Sequence, residues 1–238
     1  MKLQDFDYNL PAALIAQYPA AARDGSRLLA VDRASGRTED RYFRDLPRYL
    51  RAGDVLVLND SRVIRARLIG VKERTGGRIE LFLLKRIAAQ GSTDEPSPCV
   101  LAGDCWEVLA RPAKRLRVGD RVTFGADAAL TAAVLGRTED GSLTVRFEYE
   151  GIFAEILERL GRVPLPPYIR RADEDQDAER YQTVYAAMPG SAAAPTAGLH
   201  FTERLLDEIR AQGVETVFVT LHVGLGTFRP VQSEDVLR

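Results

Sequence analysis

Between Arg62 and Tyr149 the chain offers strand after strand and no convincing helix. The segments are VIRARLIGVKE, RIELFLLKRI, CWEVLARP, RVTFGA, LTAAVLGR and LTVRFEY. Each is short and rich in β-branched or aromatic residues, and TGG, VGD, GAD and EDG turns separate them. Six such strands in so short a stretch leave few options. They predict a small antiparallel barrel or sandwich. The polar stretch AAQGSTDEPSPCVLAGD, broken by Pro and Gly, reads as a loop between two of them.

The flanks have a different texture. NLPAALIAQYP carries apolar residues at helical spacing, with Pro11 in a plausible first turn. SRLLAVDR reads as a strand. FRDLPRYLRAGDVLVLND reads as a short helix, a stop at Gly53 and the strand Val55–Leu58. Helical spacing returns at GIFAEILERLG and again at FTERLLDEIRAQG, where Thr202 suits an N-cap and Gly213 a stop. RADEDQDAERYQ reads as a charged, solvated segment, and VETVFVTLHV as a strand. The expected fold class is therefore α/β with two domains. An α/β domain, residues 1–61 and 151–238, is interrupted by an inserted all-β domain, residues 62–150.

Composition excludes more than it assigns. The chain has 238 residues, 45% hydrophobic and 28% charged, as expected of a globular protein. It holds no apolar run long enough to span a membrane and opens with no secretory pattern. Its two cysteines, Cys99 and Cys105, form no C-x-x-C pair, and a reducing cytoplasm is expected. Net charge is −1, but residues 62–150 carry 15 basic against 12 acidic groups. That asymmetry is a weak pointer to a polyanion.

The two histidines stand in similar settings: His200 in PTAGLHFT and His222 in VTLHVGLGTFRP. On a strand, Phe218, Thr220 and His222 share one face. Gly224 and Gly226 follow, where open α/β sheets place ligands beyond their strand ends. In the other segment Thr196 offers a hydroxyl and Gly198 a flexible joint. His200 stands just ahead of a helix N-terminus whose N–H donors suit an anionic group. For either histidine a packed, hydrogen-bonded structural role is about as simple. Two histidines are too few for zinc without help, so no metal is expected. No nucleophile elbow or phosphate-binding P-loop occurs. Asp60 follows a strand, with Arg62, Arg65 and Arg67 after it. PPYIRR sets Tyr168 beside Arg170 and Arg171, a ring with guanidinium groups that can stack on a base and hold a phosphate. AKRLRVGD reads as an ordinary basic turn.

In order along the chain, SRLL, GDVLVLNDSRVIRARL, TGGRIELFLL, WEVLARP, GRVPLPPYIRR, RYQTVYA, SAAAPTAGLHFT and VTLHVGLGTFRPV resemble the S-adenosylmethionine:tRNA ribosyltransferase-isomerase family of queuosine biosynthesis. Ser61 stands where the family commonly has threonine, and Leu225 where it has alanine. The resemblance implies an α/β domain with an inserted six-stranded antiparallel β-barrel, in a cytoplasmic monomer. It implies S-adenosylmethionine as co-substrate and tRNA carrying 7-aminomethyl-7-deazaguanine at the wobble position as partner. On that reading His200, His222, Asp60 and Thr196 share one pocket and divide the proton transfers. Arg62, Tyr168, Arg170, Arg171, Tyr181, Gly198, Gly224, Gly226 and Thr227 contact substrate. A methyltransferase and a non-catalytic RNA-binding protein are the competing readings. Family members continue beyond FRPV, so this chain reads as an N-terminal fragment with an unpaired sheet edge and exposed apolar surface.

Overall fold

The computed structural model describes residues 1–87 and 104–224. The loop around Pro96, Cys99 and the GTFRP motif with Leu225, Gly226 and Thr227 lie outside the described residues. Two compact units account for the rest. One comprises Met1–Arg62, Leu165–Met188 and the chain from Ala193; the other comprises Val63–Pro164 and Pro189–Ala192.

The first unit begins with an antiparallel hairpin of β1 (Arg27–Val31) and β2 (Thr38–Tyr42). A 3-10 helix, Phe43–Tyr49, follows, its start held where the Asp45 carboxylate accepts the Tyr42 N–H. β3 (Val55–Asn59) comes next, then β4 (Ser61–Val63).

The second unit is built on β5 (Arg67–Lys72), β6 (Arg78–Ile87), β7 (Asp104–Arg111), β8 (Arg121–Phe124), β9 (Leu130–Arg137) and β10 (Leu143–Tyr149). These are the six strands expected from the sequence. They close into a barrel in the order β10-β7-β6-β5-β8-β9. It consists of two three-stranded antiparallel meanders, β5–β7 and β8–β10, joined by the long-range pairs β7–β10 and β5–β8. Period-2 alternation fills the interior: Leu143, Val145 and Phe147 of β10 face Leu68, Leu81 and Val122 in one buried core. At the β5–β8 seam a Cβ on Gly70 would lie 2.3 Å from the Thr123 carbonyl and 2.5 Å from the Phe124 ring, so only glycine lets these strands meet. Helix α1 (Phe153–Leu160) packs Ile156 and Leu157 into that same core, so the division falls after α1, whereas the sequence placed it at residue 150.

The chain then runs through α2 (Asp177–Arg180), β11 (Met188–Ser191), α3 (Glu203–Ala211) and β12 (Glu215–Val219). β11 pairs with β4. The Thr202 hydroxyl caps α3 by accepting the Leu205 N–H at 3.1 Å, and Gly213 reverses the chain at φ +85°. α3 buries Leu205, Leu206 and Ile209 against Phe43, Leu58 and Phe201. It delivers β12 parallel to β3, with Val217 opposite Val57. Among the described residues no other strand joins this pair, and Val55 and Val57 are 54% and 58% exposed.

The helix expected near the start does not form. NLPAALIAQYP forms only a 3-10 turn, Ala12–Leu14. Leu10 and Leu14 stay exposed, so no core receives the face that the spacing promised. Tyr18 precedes Pro19, which disfavours helical backbone there.

Candidate active site

The first unit contains a cavity of about 310 Å³. Its walls come from three stretches that the sequence keeps far apart: residues 16–26, 165–181 and 196–200. Polar side chains bind them together. Gln17 acts as a surrogate strand for PPYIRR: its side-chain carbonyl accepts the Arg170 N–H at 2.7 Å, and its amide donates to the Tyr168 carbonyl at 3.1 Å. Arg180 donates to the carbonyls of Ala20 and Ala21. Arg23 donates to those of Glu179, Arg180, Gln182 and Leu199. Burial, and next the nearby Arg180 charge, pull the Arg23 guanidinium below its ordinary pKa, and among the described residues its hydrogen bonds all go to backbone carbonyls.

Arg171 is the most constrained cation. Both oxygens of Asp177 accept from it, at 2.7 and 2.8 Å, and its Nε donates to the Gln17 carbonyl at 2.9 Å. Its guanidinium lies 4.3 Å from the centre of the Tyr18 ring. These hydrogen bonds hold the Asp177 carboxyl below the usual carboxylate range. Tyr18 in turn donates to Glu174 at 3.0 Å, which raises the phenol pKa. Burial pushes Tyr181 up to about 12, so it stays a neutral phenol.

With those cations engaged, the cavity presents aromatic rings, apolar surface and two uncommitted polar groups. Tyr18, Tyr168 and Tyr181 supply the rings. Thr196 and His200 supply a hydroxyl and an imidazole, and neither side chain makes a hydrogen bond among the described residues. His200 is braced by Phe43, ring centre to ring centre 5.1 Å. The arrangement suits a flat, partly polar ligand with an imidazole beside it to move a proton.

A second polar cluster sits at the carboxyl ends of β3 and β12. The Thr220 hydroxyl donates to the Asp60 carboxylate at 2.7 Å. The Asn59 side chain pairs with Leu221 like a backbone unit, donating to its carbonyl at 2.9 Å and accepting its N–H at 3.2 Å. His222 follows, exposed, and a Cβ at Gly224 would meet open space. The residues expected in one pocket thus divide. Thr196, His200, Tyr168, Arg171 and Tyr181 line the cavity, while Asp60, His222 and Gly224 gather at the strand ends. Aromatic contacts run from one towards the other: His200 to Phe43, Phe43 to Phe201, Phe201 to Tyr185, and Tyr185 to Phe218 of β12. Arg62 and the Arg170 side chain are exposed and line neither. Gly198 is buried because a Cβ there would lie 2.2 Å from the Tyr185 hydroxyl, a packing demand rather than a ligand's.

Gln17, Arg23 and Asp177 were not foreseen. Asp177 stood in a run of acids read as solvated, and nothing local separates it from Asp173 or Asp175. Arg23 works entirely through carbonyls distant in sequence, which leave no signature.

The sequence model of the family described as "Queuosine biosynthesis protein" matches residues 3–238, nearly the whole chain. The chain belongs to that family. Within it, the chain is 55% identical over 235 residues to the S-adenosylmethionine:tRNA ribosyltransferase-isomerase of Symbiobacterium thermophilum, covering 99% of this chain and 64% of that protein. It therefore spans a little under two thirds of that relative's length. The crystal structure of S-adenosylmethionine tRNA ribosyltransferase from Thermotoga maritima shares 32% identity, covers 92% of this chain and 58% of its own, and superposes with a TM-score of 0.35.

Proposed function

We propose that the cavity binds S-adenosylmethionine. The ribosyl part is transferred and isomerised onto 7-aminomethyl-7-deazaguanine at the wobble position of tRNA, with adenine and methionine leaving and epoxyqueuosine formed. One observation carries this reading. Three of the motifs behind the family resemblance, PPYIRR, RYQ and PTAGLHFT, converge on one cavity with Tyr168, Arg171, Tyr181, Thr196 and His200 in its walls. The name of the Symbiobacterium thermophilum relative supports the same reaction.

The chemistry needs a base for a proton beside the sulfonium and an acid for departing adenine. His200 takes one of these steps from the cavity wall, with Thr196 positioning the ligand. The tyrosine rings receive the flat adenine. Asp60, held by Thr220, and His222, exposed beyond the end of β12, serve the other proton transfer once the tRNA base is in place. The protein works as a monomer in the cytoplasm and needs no metal.

The test is adenine release from S-adenosylmethionine, with tRNA carrying the aminomethyl-deazaguanine base, by this chain and by one extended to the relatives' length. RNA-dependent adenine release supports the proposal, and His200→Ala should lower it at least about a hundredfold. S-adenosylhomocysteine as product would instead identify a methyltransferase, and RNA binding with neither product a non-catalytic binder.

A further inference from the structure

One rim of the barrel carries a separate feature. The β5–β6 turn and the β7–β8 connection enclose an open cleft of about 630 Å³, lined by Lys72, Arg74, Lys114, Arg115 and Arg117. Asp120, the one acid among its described lining residues, is already occupied. Asp120 accepts from Lys72 Nζ at 2.6 Å and from the Arg117 N–H at 2.7 Å, and Lys72 also donates to the Arg115 carbonyl at 2.8 Å. These hydrogen bonds hold the Asp120 carboxyl below its ordinary range. Glu73, on the β5–β6 turn itself, pairs with Arg121 at 3.3 Å.

Arg74, Lys114, Arg115 and Arg117 remain. All four are exposed, and none makes an ion pair or side-chain hydrogen bond among the described residues. Four exposed cations without a hydrogen-bonded acid converge on one cleft in a chain whose net charge is −1, and of these Arg74 alone feels Asp120 through space. The Lys72–Asp120 pair pins the two turns together beneath them. An ordinary basic turn, as the sequence suggested, scatters its charges into solvent; here two turns aim theirs at one space.

We propose that this cleft grips the phosphate backbone of RNA. Guanidinium groups match phosphate oxygens two at a time. The cleft is too open to enclose one free anion, and its cations sit on two turns, as a polyanion running across both requires. Among the described residues no aromatic side chain lines it, so it reads backbone rather than stacking bases. The choice of RNA over other polyanions rests on the function proposed above.

The experiment measures binding of an unmodified tRNA transcript to the full 238-residue chain across a salt series. The slope of log affinity against log salt is compared with that of Arg74→Gln/Lys114→Gln/Arg115→Gln/Arg117→Gln. The slope should shrink by roughly 0.7–0.9 for each phosphate that the variant no longer neutralises, with affinity at low salt falling at least about tenfold. Arg33→Gln, an exposed cation on the β1–β2 turn of the first unit, should leave the slope unchanged. A single reversal, Arg115→Glu, should weaken binding with no change in melting temperature, separating the effect from misfolding. Equal slopes in wild type and the fourfold variant, or a wild-type chain that ignores the transcript, would overturn the proposal. S-adenosylmethionine binding by the same proteins is a separate readout. Its absence in wild type would count against the cavity reading and leave the cleft to be judged by the salt slope.

Discussion

Asp177 is 3% exposed and grips Arg171 through both of its oxygens. Asp177→Asn keeps the shape but strips the charge from a buried pair, which should cost about 3 kcal/mol in urea unfolding at neutral pH. The acid limb gives an independent check. A carboxyl whose pKa is depressed by folding contributes stability that is present above its unfolded pKa of about 3.9 and is lost as pH falls through the lower folded value. Wild type should therefore lose stability below about pH 4 more steeply than Asp177→Asn. Gly198 permits a different test, because its neighbour is known. Gly198→Ala should destabilise by about 1–3 kcal/mol, as overpacking does. Adding Tyr185→Phe removes the hydroxyl that a Cβ would strike, so a double-mutant cycle on thermal melts should show the two changes partly compensating. At this scale the sequence revealed residue chemistry better than residue commitment. Tyr168, Arg171 and His200 were recognisable as ligand-handling types. That Arg171 is already spoken for by Asp177 depends on a contact no local pattern encodes.

Among elements, legibility followed periodicity and its punctuation. The six barrel strands could be read because each alternates over several residues and ends in a turn signal. α3 could be read because Thr202 and Gly213 mark its ends. The segment around Leu10–Leu14 had the right spacing and no core to receive it. α1 was visible as a helix, but not as a barrel element, since its partners Phe147 and Trp106 lie before it in the chain. Two tests belong here. Thr202→Ala should cost about 1 kcal/mol by removing the cap of α3, read from the denaturation midpoint. Gly70→Ala should cost about 1–3 kcal/mol at the β5–β8 seam. Gly136→Ala in β9 is its control: a Cβ there meets nothing within 4 Å, and the change should be close to neutral.

For the whole molecule, the division into an α/β unit and an inserted barrel was readable from the change of texture along the chain, and it separates two tasks. The cavity and the strand-end cluster both lie in the first unit, and the basic cleft lies wholly in the second. The cleft has one more property, which follows from how the ring is closed. Its cations come from the turn inside the first meander and from the segment leading into the second, and the Lys72–Asp120 pair spans the β5–β8 junction. An open ring would carry the same charges without the site. RNA would then be a folding ligand for the barrel. By mass action a transcript should raise its melting temperature, more at higher concentration and less at higher salt, and the same transcript should restore part of the stability that Gly70→Ala removes.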